Sequence, residues 1–209
     1  MVSKVLGYAI IVGSSIVKFP QIHNIWRSRS AEGLAVSMFV MELIGYVITV
    51  TYNIVNEFPF STWGETFFVT IQNVVILYLI EAYTTKNFFQ LFALFGGLGA
   101  FLISALIGVL PYKILSTLQM ATIFIFSSSR IPQISSNFKN KSTGQLSMVT
   151  FLLSFVGGLA RIFTTIQEVD DMIILVTFII ATILNGTVFF QILLYQQNTN
   201  KINQQKKTE

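Results

Sequence analysis

Lys18-Phe19-Pro20-Gln21-Ile22 and Arg130-Ile131-Pro132-Gln133-Ile134 decide the fold, because the second stretch repeats the first 112 residues later. The register holds downstream. Arg27 and Arg29 fall on Lys139 and Lys141, Ser30 on Ser142, Leu34 on Leu146, Phe39 on Phe151, Gly45 on Gly157 and Asn73 on Asn185. Self-similarity at one fixed offset marks an internal repeat. Both pentapeptides sit within apolar segments, where proline removes a backbone donor and clashes with the carbonyl four residues earlier, at Ile16 and Ser128. The reading is a membrane helix kinked at a hinge or polar lining and used twice, with Gln21 and Gln133 expected to supply the polar contacts at Pro20 and Pro132.

The solvent for most of the chain is a bilayer. Of its 209 residues, 53% are hydrophobic and 11% charged, against about 25% charged in a soluble domain, and the mean hydropathy is +0.70. Too few charges remain to cover a water-facing surface. With no cysteine and one histidine, disulfides and thiolate metal sites are excluded, and no metal or cofactor is expected. The basic residues lie in short runs between apolar stretches and in the tail, as topology signals rather than a nucleic-acid surface.

A crossing helix needs about 20 mostly apolar residues. Cutting at charges, prolines and turn residues leaves Val5 to Trp26, Ala35 to Val55, Trp63 to Tyr83, Phe88 to Leu110, Ile114 to Ile134 or slightly beyond, Leu146 to Gln167, and Met172 to Tyr195. Each repeat holds three spans and one is left between them, so the two halves run parallel about an axis along the membrane normal. The expected fold is an all-α membrane protein with about seven transmembrane helices, as two parallel three-helix bundles joined by an inversion helix. Residues 1–87 form the first repeat, 88–112 the linker helix, 113–195 the second repeat and 196–209 a flexible cytosolic tail. Arg27, Arg29, Lys86, Lys139, Lys141 and the tail lysines share one side, opposite Lys4, Lys113, Glu57, Glu168, Asp170 and Asp171. The positive-inside rule then places the N-terminus outside or in a lumen and the C-terminus in the cytosol.

Charges inside the bilayer are costly, so each needs a partner or water. Lys18 and Glu42 lie at the same depth, roughly 11 to 12 Å from the cytosolic end at 1.5 Å per residue. They are expected to pair, either structurally or in contact with substrate. Arg130 takes the place of Lys18 in the second repeat, but Ser154 takes that of Glu42. Arg130 then either meets an anionic phosphate through its guanidinium fork or snorkels to the interface. Arg161 and Glu168, seven apart on one helix face, read as an ion pair at the lumenal end. Gly96, Gly97, Gly99, Gly157 and Gly158 are expected to allow close helix packing. His23 is read as an interfacial polar contact. No acid/base dyad, activated nucleophile or phosphate-cradling loop is present, so there are no catalytic residues and a non-enzymatic protein is expected.

Paired Pro-Gln motifs in a three-plus-one-plus-three pattern resemble the PQ-loop superfamily, which includes the SWEET sugar transporters and lysosomal amino-acid exporters. Within it, Lys18-Phe19-Pro20-Gln21, Ser30-Ala31-Glu32-Gly33-Leu34, Phe58-Pro59-Phe60-Ser61-Thr62-Trp63-Gly64-Glu65, Ser142-Thr143-Gly144-Gln145-Leu146-Ser147 and the block from Ala160 to Glu168 resemble one branch closely, the mannose-phosphate-dolichol utilisation defect protein family. That resemblance implies an endoplasmic-reticulum protein required for lumenal use of dolichol-phosphate-mannose and dolichol-phosphate-glucose in N-glycosylation and GPI-anchor assembly. Its implied partners are membrane lipids, dolichol-phosphate sugars and lumenal glycosyltransferases. By similarity to SWEET transporters, Asn73 and Asn185 are candidates to line a central cavity, the bland alternative being hydrogen bonds between helices. Two other readings stay open: a small-solute transporter working by alternating access, and a receptor or scaffold of the same fold. Lys206 and Lys207, at the fourth and third positions from the carboxyl end, resemble a dilysine retrieval signal read by coat proteins.

The chain's own sequons test this topology. Asn140-Lys141-Ser142 should carry no glycan in cells, since it is placed in the cytosol, and Asn185-Gly186-Thr187 should stay bare inside a helix. Glycan on Asn140 would invert the orientation.

Overall fold

The structure, a computed structural model, describes residues 2–31, 34, 36–84, 88–127, 130–143 and 146–208, with side chains described as far as Thr199. The described residues contain nine helices: α1 (Val2–Ser14), α2 (Phe19–Ser28), α3 (Val36–Val55), α4 (Phe60–Tyr83), α5 (Phe88–Leu106), α6 (Tyr112–Ser127), α7 (Arg130–Asn140), α8 (Met148–Glu168) and α9 (Met172–Thr208). They make seven spans, because α1 and α2 share the first and α6 and α7 the fifth. The first three spans form one bundle and the last three another, with α5 packed on α3 and α4. The bundles meet where α1 lies against α8 and α3 against α6.

The first span is interrupted just ahead of its Pro-Gln motif. Helix α1 ends at Ser14 and α2 begins at Phe19, so Pro20 falls in the first turn of a new helix. There its missing N–H has no helical acceptor to lose, and no carbonyl is fouled. The span is broken ahead of its proline rather than bent at it. The freed backbone is repaired by Gln72 of α4: its Oε1 accepts from the Lys18 N–H at 2.8 Å and its Nε2 donates to the Ser14 carbonyl at 2.9 Å. Gln21, expected in that role, lies instead on a cleft with Asn24, Arg27 and Ser30. In the second half Gln133 does act locally, donating to Asn137 at 2.8 Å. Asn137 in turn donates to Gln191, whose own amide reaches the Ile134 carbonyl, each at 3.0 Å. Ser128, the carbonyl opposed to Pro132, lies outside the described residues, as do Lys86 and Gln145.

Close approach between helices falls at other glycines than most of those expected. A Cβ at Gly158 would lie 2.3 Å from Thr182 Oγ1, which locks α8 to α9, and one at Gly7 would lie 2.5 Å from the Ser61 carbonyl, which locks α1 to α4. Gly96, Gly97, Gly99 and Gly157 meet nothing within 4 Å; they sit on faces turned away from neighbouring helices. The linker helix stops at Leu106 rather than Leu110. Gly108 follows at φ +75°, a left-handed turn that glycine adopts without strain.

The last helix does not end at Tyr195. It continues to Thr208, since Gln and Lys are good helix formers and neither glycine nor proline interrupts the run. The first turn beyond Tyr195 is docked: Thr199 Oγ1 accepts from the Thr143 N–H at 3.0 Å and Asn198 donates to the Lys141 carbonyl at 3.2 Å. The side chains of Lys206 and Lys207 lie outside the described residues.

Gln72→Leu should orphan the Lys18 N–H, at about 1 to 3 kcal/mol, since the Ser14 carbonyl keeps the Val17 N–H at 3.3 Å, whereas Gln21→Leu should change stability by less than about 0.5 kcal/mol. Thermal unfolding of both in detergent checks this, and equal losses would remove Gln72 from the break.

Candidate functional site

The break in the first span turns Lys18 inward. Its ammonium donates to Glu42 Oε2 at 2.6 Å and to Asn73 Oδ1 at 2.8 Å. It also stands 5.5 and 5.4 Å from the ring centres of Phe39 and Tyr46, within cation–π range. Asn73 is fully buried and gives its Nδ2 to the Phe39 carbonyl at 2.7 Å. The pairing expected from equal depth is present, with Asn73 as its third member. Asn73 therefore stands behind Lys18 rather than at a cavity wall.

The second repeat places the same residue types without closing the network. The Arg130 guanidinium lies 5.1 Å from the ring of Phe151, the counterpart of Phe39. Ser154, at the Glu42 position, turns its hydroxyl back to the Thr150 carbonyl at 2.9 Å. The ion pairs among the described residues are Lys18–Glu42 and Arg161–Glu65, so Arg130 has no carboxylate of its own. Asn185 Oδ1 is buried without a hydrogen-bond partner.

Glu42, Tyr46, Arg130 and Asn185 meet at one cavity of about 520 Å³ between the bundles, whose polar lining also includes Ser37 and Thr177. The size falls in the range of small-molecule sites. Arg130 lines this space.

At the end of the bundles that carries Glu57, Glu168, Asp170 and Asp171, five polar contacts tie the halves together. Tyr52 donates to Asp171 at 2.7 Å and, its proton so used, accepts from Tyr112 at 3.1 Å. Ser61 donates to Glu168 at 2.6 Å, while Arg161 donates to the Ser61 carbonyl at 2.8 Å and pairs with Glu65. The expected Arg161–Glu168 pair is thus corrected. Seven residues along a helix is about 10.5 Å of rise, beyond direct contact, and Glu65 on the facing helix is nearer. Glu65 was missed although a carboxylate inside an apolar run is itself a signal. Gln72, Tyr52 and Asp171 had none, because their partners are distant in sequence.

The sequence pattern described as the PQ loop repeat matches residues 2–62 and 114–174, two stretches in the register of the internal repeat. Human solute carrier family 66 member 3 is 28% identical over 186 residues, covering 88% of this chain and 90% of that protein. Among solved structures, a eukaryotic SWEET transporter superposes with a TM-score of 0.72 at 11% identity, over 94% of this chain and 100% of that one. The seven-span fold is therefore that of the SWEET transporter.

Removing one member of a part-buried ion pair leaves the other uncompensated, at about 1 to 3 kcal/mol. Lys18→Met and Glu42→Gln should each destabilise strongly, and the double variant should lose less than the two together. Strictly additive losses in lipid would separate the two residues energetically.

Proposed function

This chain belongs to the PQ-loop repeat family, and from that premise we propose that it carries a small polar solute across a membrane by alternating access. The supporting observation is the cavity of about 520 Å³ between the bundles, sealed at one end by the contacts of Tyr52, Ser61 and Arg161. Transport of this kind rocks one bundle against the other around a fixed mid-membrane site. Distribution of Arg and Lys supports a cytosolic basic end and a lumenal acidic end, with Lys206 and Lys207 as the address for the endoplasmic reticulum. The likeness to a human protein named as a solute carrier points the same way.

A second reading, handling of dolichol-phosphate-mannose and dolichol-phosphate-glucose, draws support from one observation. The two most distinctive sequence blocks, Trp63-Gly64-Glu65 and Arg161-Ile162-Phe163-Thr164, meet through the Arg161–Glu65 pair. Shortened lipid-linked oligosaccharides in cells lacking the chain would favour it.

The absence of cysteine makes a clean test available. Ala181→Cys places a thiol in the cavity wall. A membrane-impermeant thiol reagent should label it from the basic end only, and adding Arg161→Gln should allow labelling from the acidic end. Labelling that is insensitive to side and to Arg161 would end the alternating-access reading.

A further inference from the structure

Superimposing the two repeats by sequence exposes a mismatch that has a chemical meaning. In the first repeat a cation (Lys18), an aromatic ring (Phe39), a carboxamide (Asn73) and a carboxylate (Glu42) form a complete set. In the second, Arg130, Phe151 and Asn185 supply the first three. Serine replaces the carboxylate. Glu42 and Arg130 both line the cavity, and the Glu42 charge reaches Arg130, but its carboxylate is bonded to Lys18 at 2.6 Å, which leaves the Arg130 guanidinium without a directly bonded anion. An arginine inside the bilayer without such a partner is costly.

We infer that the ligand of this cavity carries an oxyanion, a carboxylate or phosphate, which binds Arg130 and Asn185 where the second repeat lacks its own carboxylate. This deepens the reading of the cavity as the solute site and rests on it. Guanidinium presents a planar fork that matches two oxygens of either group. The Asn185 amide adds a donor for the oxyanion. Its Oδ1, buried without a partner, is left to accept from a hydroxyl or amine on the same ligand.

Two sources supply such an anion. A free solute enters from the open end. A lipid headgroup enters sideways, because an apolar groove of about 600 Å³ between α6 and α9, lined by Met120, Phe124, Ile131, Val176 and Ile180, shares Ile123, Ser127 and Leu184 with the cavity. Ile180 belongs to the groove alone, so filling it separates the sources.

The full chain in phosphatidylcholine nanodiscs is titrated with sodium acetate, with inorganic phosphate and, in separate discs, with phosphatidic acid, and the melting temperature is followed. A saturable rise is expected with at least one probe. Arg130→Gln should weaken it by about tenfold or more, the loss of a charged hydrogen-bond partner. Ser154→Glu installs the missing carboxylate, adds an ion pair rather than removing one, and should abolish the response while the chain remains folded. A response to phosphatidic acid alone, lost in Ile180→Trp, assigns the oxyanion to a lipid; a response to acetate or phosphate, retained in Ile180→Trp, assigns it to a free solute. No response to any probe, or one that survives Arg130→Gln or Ser154→Glu, overturns the inference. Side-specific labelling of Ala181→Cys is read independently, so the transport reading stands or falls apart from this result.

Discussion

A backbone amide within hydrocarbon has no water to bond, so a helix broken in mid-membrane survives only where another group takes the freed donors and acceptors. Gln72 is that group here. One carboxamide bridges Ser14 and Lys18, and its attachment to α4 makes the break a joint between helices rather than a local defect. The opened turn aims Lys18 inward, where the ammonium requires an anion. Glu42 from α3 supplies it and Asn73 from α4 completes its hydrogen bonds. The three spans of the first bundle thereby converge on one point, held by polar contacts in a medium that offers no hydrophobic drive between helices.

The second bundle inherits the backbone plan without that clamp. Leu184 stands where Gln72 would be repeated, and it lines the cavity instead of bridging a helix. Gln191 takes over the polar work one layer further along α9, reaching Asn137 and Ile134. One half is thus fixed around a satisfied charge and the other presents its charge to the space between the halves. Only the first copy of the repeat pairs its cation with a carboxylate of its own, and the proposed oxyanion site follows from that difference.

Much of this architecture was legible in the chain. Apolar runs of crossing length and a 112-residue register specify seven spans and a parallel pair of bundles, because hydrocarbon thickness and span parity leave little choice. Equal depth brought Lys18 to Glu42, since two charges in the bilayer at one level have few other partners. Depth says nothing of azimuth. Spacing along one helix points Arg161 to Glu168, whereas the facing α4 presents Glu65 closer. Gln72 was invisible for a related reason: a glutamine in an apolar run has many uses, and only the position of the broken turn decides among them. The extension of α9 past Tyr195 depends on docking by Asn198 and Thr199, contacts made with a loop more than fifty residues away.

The proposed alternating access requires closure at the acidic end to be strong enough to define a state and weak enough to leave it. Hydrogen bonds between membrane helices average about 0.6 kcal/mol each, so the four contacts of Tyr52, Ser61 and the Arg161–Ser61 carbonyl come to about 2 to 3 kcal/mol. The Arg161–Glu65 pair adds to this. A ligand shifts such an equilibrium only by its difference in affinity between the two states. In the proposed reading, an oxyanion on Arg130 supplies that difference. Arg130 begins α7 and Asn185 lies on α9, two helices of one bundle that Gln191 already joins one layer further on, so the anion is held by a preformed wall and acts through what the other bundle brings to it.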